Sequence, residues 1–99
     1  MTPEAFEAAL AAIPASSSER RLGRLLRERR RFMGLTQREV ARAAGLRNAN
    51  FVCMLEAGES KVPPERAAAL AAALSVRAEP VVRRALLEHR PGLAALVAA

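Results

Sequence analysis

Apolar residues recur along this chain at spacings of three and four, the period that lays a single stripe along a helix, and turn-forming residues separate the stripes. The pattern is sharpest between residues 36 and 58. Thr36 offers a hydroxyl to a free N–H of a first helical turn, and Glu39 three residues on completes a capping box, so a helix starts at Gln37. It runs to Ala44, because Gly45 tolerates the left-handed conformation that ends helices. Asn48 is the next cap; Val52 and Leu55 then fall three apart on one face, and a second helix reaches Ala57 before Gly58 stops it. Ala41 and Ala44 supply the small side chains that two helices crossing over so short a turn require at their contact.

The same period extends to both sides. Thr2-Pro3-Glu4 opens a short helix carrying Phe6, Leu10 and Ile13, a segment that folds back on the domain or meets a partner. Pro14 to Ser18 breaks that helix and reads as a linker, with Ser18 placed to cap the next helix. That helix, over 19–33, carries a stripe of Leu22, Leu25, Leu26, Phe32 and Met33, surrounded by Arg20, Arg21, Arg24, Arg27, Arg29, Arg30 and Arg31. After a loop from Gly58 to Pro63, Pro64 starts a helix with Leu70, Ala71 and Leu74 inward, and its alanine content implies close packing. Pro80 starts a further helix with Val82 and Leu86 inward together with Val81 or Ala85; Pro91-Gly92 ends it ahead of an apolar tail. The expected fold is all-α, a compact bundle of about five short helices around the central helix-turn-helix. Residues 1–18 form an N-terminal helical extension and linker, 19–76 the helix-turn-helix domain, and 77–99 a C-terminal helix and tail available for a dimer or partner contact.

Composition narrows the partners. Ninety-nine residues, 52% of them hydrophobic, suffice for one small buried core. With 3% aromatic residues and no Trp or Tyr, stacking platforms for single-stranded nucleic acid are not supported. The formal charge is +6, and the segment from Arg20 to Lys61 holds eleven basic and four acidic residues, a net +7 that exceeds the whole chain. A polyanion partner is therefore expected at the motif. One cysteine and one histidine leave no intramolecular disulfide and no cluster with metal-ligand spacing, so no cofactor is expected. An acidic beginning without a positive signal region, and apolar runs far short of a bilayer span of about 20 residues, make a soluble cytoplasmic protein with no membrane partner the expectation.

Gly34-Leu35-Thr36-Gln37 at the opening, Ala41, Gly45, and Leu55-Glu56-Ala57-Gly58 at the close together resemble the helix-turn-helix of the lambda-repressor-like Cro/Xre family. The resemblance covers roughly residues 20–76. It departs in one respect: from Gly45 to Gly58 the chain is one residue longer than the usual spacing, which places the extra residue in the turn or the first turn after it. The resemblance implies that the helix after Gly45 lies in the major groove of double-stranded DNA. Arg47, Asn48, Ala49, Asn50, Cys53 and Met54 then face base edges, and Arg31, Gln37, Arg38, Arg42 and Lys61 face the sugar-phosphate backbone. It also implies that Gln37 braces the first side chain of the reading helix, and that Arg27 or Arg30, Arg30 by preference, pairs with Glu56.

Each assignment has a plainer competitor. Most arginines of 19–33 form a solvated face, since seven guanidinium groups cannot all reach one stretch of phosphate. Asn48 serves equally as a helix cap, whereas Asn50 has no such structural employment. Asn pairs bidentately with adenine, and small apolar side chains contact a thymine methyl. Cys53 has no neighbouring His to activate it. Paired carboxylates, a glycine-rich phosphate loop and a nucleophile with its base are absent as motifs, so an enzyme is not expected. The expected function is a sequence-specific DNA-binding transcriptional regulator, a homodimeric repressor of its own or a neighbouring operon, with Leu86, Leu93 and Leu96 as dimer-contact candidates. The alternative is an antitoxin or other module that binds operator DNA and a protein partner through its apolar ends.

Overall fold

Thr36 begins its helix as the capping box requires: its Oγ1 accepts from the Glu39 N–H at 3.0 Å, and its own N–H donates to Glu39 Oε1 at 2.9 Å. The computed structural model describes residues 1–15 and 21–89. Among these lie six helices and no strand: α1 (Pro3–Ala11), α2 (Arg21–Phe32), α3 (Gln37–Ala44), α4 (Ala49–Glu56), α5 (Pro64–Ala73) and α6 (Ala78–His89). The expected cap Ser18, and Leu93 and Leu96 of the tail, lie outside the described residues.

α3 and α4 meet through a turn that holds only Leu46 and Arg47 between Gly45 and Asn48. Gly45 adopts φ 69° and ψ 29°, and around it Leu46 N–H donates to Ala41 O at 2.8 Å, closing the end of α3. Asn48 Oδ1 accepts from the Phe51 N–H at 3.0 Å and so opens α4. α4 stops at Glu56, one residue before the expected end, with Ala57 as its cap. Val52 and Leu55 face inward, and Ala41 and Ala44 are buried where the sequence places small side chains.

α2 differs from its expected stripe. Leu22 and Leu26 are buried and Leu25 and Met33 pack partly against the core, but Phe32 is 60% exposed. Arg29, read as part of a basic surround, is only 5% exposed. Spacing explains both: Arg29 stands seven residues after Leu22 and three after Leu26, on the buried line, whereas Phe32 has rotated off it. The buried guanidinium is satisfied by two carbonyls, with Nε donating to Leu74 O at 2.8 Å and Nη1 to Met1 O at 2.7 Å. Phe32 covers it from outside, its ring centroid 5.5 Å from the Arg29 guanidinium carbon.

α1 folds back. Thr2 Oγ1 accepts from the Ala5 N–H at 3.1 Å, and Phe6 and Leu10 enter the same core as Leu22, Leu26, Leu70 and Val81. α6 begins at Ala78 rather than at Pro80. Its buried line is Val81, Arg84, Ala85 and Glu88, at i, i+3, i+4 and i+7, with Leu87 beside it. Val82 is only partly buried and Leu86, expected inward, is 40% exposed. The polar members of this line satisfy one another: Arg84 Nε meets Glu88 Oε2 at 3.1 Å and Arg84 Nη1 donates to Pro14 O at 3.0 Å. The same Glu88 oxygen accepts from Leu22 N–H at 3.4 Å, which joins α6 to the first turn of α2.

Two backbone features set how closely the helices approach. Gly23 of α2 lies against α4 so tightly that a Cβ there would stand 1.8 Å from the carbonyl oxygen of Leu55. Ser75, after α5, has φ 55°, the one positive value at a non-glycine residue among those described. No helix among the described residues is long and apolar enough to cross a membrane.

Candidate functional site

The surface of α4 divides by helical phase. Val52, Leu55 and Glu56 are buried, while Asn50, Cys53 and Ala57 are exposed along the opposite side, flanked by the half-buried Ala49 and Met54. Asn48 belongs to the cap, with its side-chain oxygen taken up by the Phe51 N–H. Asn50 makes one weak contact, Nδ2 to Met54 sulfur at 3.7 Å, and is otherwise open to solvent. Arg47 is exposed in the turn, and its guanidinium carbon lies 5.7 Å from the Phe51 ring centroid. Phe51 is half-buried and packs against the core, so this contact holds Arg47 at the entry to α4. Cys53 carries a free exposed thiol.

The far end of α4 is clamped. Arg30 grips Glu56 with two prongs, Nε to Oε2 at 2.6 Å and Nη2 to Oε1 at 3.0 Å. Arg30 Nη1 also donates to Leu35 O at 2.9 Å, so one side chain ties α2, the connection before α3, and α4. Arg30 is thus the partner of Glu56, the one preferred of the two arginines that the resemblance implies. Gln37 differs from its expected role: its Nε2 donates to Glu56 Oε1 at 3.0 Å, bracing the end of α4 rather than its first side chain. Gln37 is half-buried as a result.

The first turn of α3 is partly occupied by its own cap. The Thr36 hydroxyl takes the Glu39 N–H and leaves those of Gln37 and Arg38 without an intrahelical acceptor. Glu39 stands at this positive helix end, and the Thr36 N–H donated to its carboxylate is the main reason its pKa lies below the ordinary glutamate value. Arg38 and Arg42, one turn apart and exposed, edge a shallow groove of about 430 Å³ with Leu35, Val40, Ala43 and Ala73. Arg31 is exposed at the end of α2 and Lys61 is half-buried in the loop before α5.

Part of each expected group, base-facing and backbone-facing, is thus held together, and Gln37 is set apart from both. Asn50, Cys53 and Met54 share the outer side of α4, Arg38 and Arg42 share a groove edge on α3, and Gln37 joins the internal clamp. Arg29 and Arg30 are engaged in internal bonds, which removes them from the outward field that the Arg20–Lys61 charge count suggests.

Sequence reasoning passed over two contributors to this geometry. Gly23 admits the close α2–α4 approach; a glycine inside a helix was the available signal. Arg66 of α5 reaches the α3–α4 turn, where its Nη1 would lie 3.4 Å from a Cβ at Gly45, and no local pattern announces that contact. Among the described residues no group of three or more His, Cys, Asp or Glu side chains is placed to hold a metal ion. Comparison of the chain with family profiles, curated proteins and solved structures gives no match.

Proposed function

We propose that this protein binds double-stranded DNA, with α4 in the major groove, and regulates transcription as a homodimer. The observation that carries the reading is the division of labour on α4. One side and the closing end are immobilised by Gly23, Arg30 and Gln37, while Asn50, Cys53 and Ala57 face solvent. A short helix held this firmly presents its outer side chains without a large ordering penalty, as base readout demands. Asn50 supplies the bidentate amide for adenine, Ala49 and Met54 supply apolar contacts, and Arg47 reaches bases or phosphate from the turn. Arg38 and Arg42 with the free N–H groups opening α3, together with Arg31 and Lys61, contact the backbone. Gln37 acts through Glu56, by positioning α4.

Dimerisation follows from the few base pairs one short helix can read; two such helices on one DNA face stand about 34–36 Å apart. Leu86, 40% exposed on α6, is the described candidate for the subunit contact. Repression of the protein's own or a neighbouring operon, in a cytoplasmic setting, completes the proposal. The alternative, an antitoxin-like module with a protein partner as well as DNA, is favoured by the exposure of Phe32 and Leu86 outside the α4 surface.

The test is selection of duplexes from a random pool, followed by titration of the selected site at several salt concentrations. A defined two-fold site is expected, with affinity falling steeply as salt rises because neutralised phosphates release counterions. Equal affinity for all sequences, or affinity indifferent to salt, would defeat the reading.

A further inference from the structure

A second surface lies away from the outer side of α4. Between α1, α2 and the closing end of α4 runs a groove of about 510 Å³ lined by Ala9, Ala12, Ile13, Leu25, Arg24 and Arg27 among others. Ile13 and Leu25 are partly buried hydrophobics packed on the core, and their outer faces form an apolar floor. Arg24 and Arg27 stand three residues apart on the same side of α2, both exposed. Neither makes a hydrogen bond or ion pair among the described residues. The carboxylate that also lines this groove, Glu56, has both oxygens engaged by Arg30 and Gln37, so it does not neutralise them.

We infer that this groove is a docking site for an acidic peptide segment of a partner protein, with carboxylates on Arg24 and Arg27 and leucine-like side chains on the Ile13–Leu25 floor. Guanidinium groups pair with carboxylates in a two-pronged geometry, which suits Asp and Glu side chains presented at helical spacing. The Ile13–Leu25 strip beside these arginines favours a peptide over a nucleic-acid backbone as the occupant, because a phosphodiester chain has no apolar side chain to bury there. Burial of one or two apolar anchors in a shaped recess, rimmed by charge, is the arrangement by which amphipathic segments are held in grooves. The inference is independent of whether α4 reads DNA.

The experiment uses the full chain and three tagged synthetic peptides of equal length: one of glutamate and leucine in helical register, one with lysine for glutamate, and one with serine for leucine. Fluorescence anisotropy should show binding of the glutamate–leucine peptide alone, with amide NMR shifts at Ala9, Ile13, Leu25 and Ala57. Arg24→Glu with Arg27→Glu, both at exposed positions, should weaken that binding at least roughly tenfold and transfer preference to the lysine peptide. Arg24→Gln with Arg27→Gln should fall between, with helix content unchanged by circular dichroism in both variants. Failure of the glutamate–leucine peptide to bind, or equal binding of the serine peptide, would overturn the inference. Displacement of the bound peptide by random-sequence duplex, with shifts at these same residues, would reassign the groove to nucleic acid and overturn it as well.

Discussion

Glu56 accepts three hydrogen bonds from two side chains, two from Arg30 and one from Gln37, at 2.6 to 3.0 Å. The side chains of Arg30 and Glu56 are 12% and 5% exposed, so the pair is nearly removed from water. Such a pair adds little over well-packed apolar groups, but breaking it strands a charge. Glu56→Ala should therefore cost about 3 kcal/mol in denaturant unfolding, while Arg30→Met with Glu56→Met should lie closer to the parent than either single variant. A single-variant cost under about 0.5 kcal/mol would mean that the pair is solvated.

Gly23→Ala should destabilise by about 3 kcal/mol, the upper end of overpacking, because the added methyl would meet backbone atoms of Leu55 that cannot rotate away. Thermal unfolding measures it directly. Parent-like stability would require α2 and α4 to lie farther apart than they do here.

Ser75 bears the steric cost of a left-handed residue at the end of α5, where Val76 N–H donates to Ala71 O at 3.0 Å. Ser75→Gly relieves that crowding and gains unfolded-chain freedom, and the net should be a stabilisation of about 0.5 kcal/mol. Ser75→Val should move the denaturation midpoint in the opposite direction, since a β-branched side chain fits this conformation worst.

If α4 reads bases as proposed, Asn50→Ala should lose roughly 1 to 3 kcal/mol on a selected operator and relax preference at one position, because the substitution would remove a bidentate amide from a base edge. Arg38→Ala should weaken all duplexes more evenly and lower the salt slope by about one contact. A panel of single-base operator variants at matched salt separates the two. Retained base preference in Asn50→Ala, with loss in Arg38→Ala, would reverse the assignment of α4 and α3.

The capping box predicts an acid limb. Glu39 has its pKa lowered chiefly by the Thr36 N–H, so its contribution is present above the unfolded-state value and is lost as pH falls through the folded-state value. Stability measured against pH for the parent and for Glu39→Gln should show a difference that shrinks on acidification. A difference constant across that range would exclude the ionised carboxylate as its source.

The local signals at Thr36, Glu39, Gly45, Asn48 and Gly58 were legible in the sequence because each acts within one helical turn. A cap needs only the next three N–H groups, and a left-handed terminator only the preceding carbonyls. The inward phase of Val52 and Leu55 was legible for the same reason, and the preference for Arg30 over Arg27 came with the family resemblance. Tertiary structure alone decided which polar groups go inside. Arg29 is buried because the carbonyls of Leu74 and Met1, distant in sequence, converge on its guanidinium; Arg84 and Glu88 are buried because Pro14 O and Leu22 N–H arrive beside them. Phe32 and Leu86 remain outside for the complementary reason, since none of the described helices covers the side of α2 or α6 on which they stand. Hydrophobicity assigns a side chain's preference, but burial depends on which surface comes to meet it, and that is settled only when helices far apart in the chain pack together.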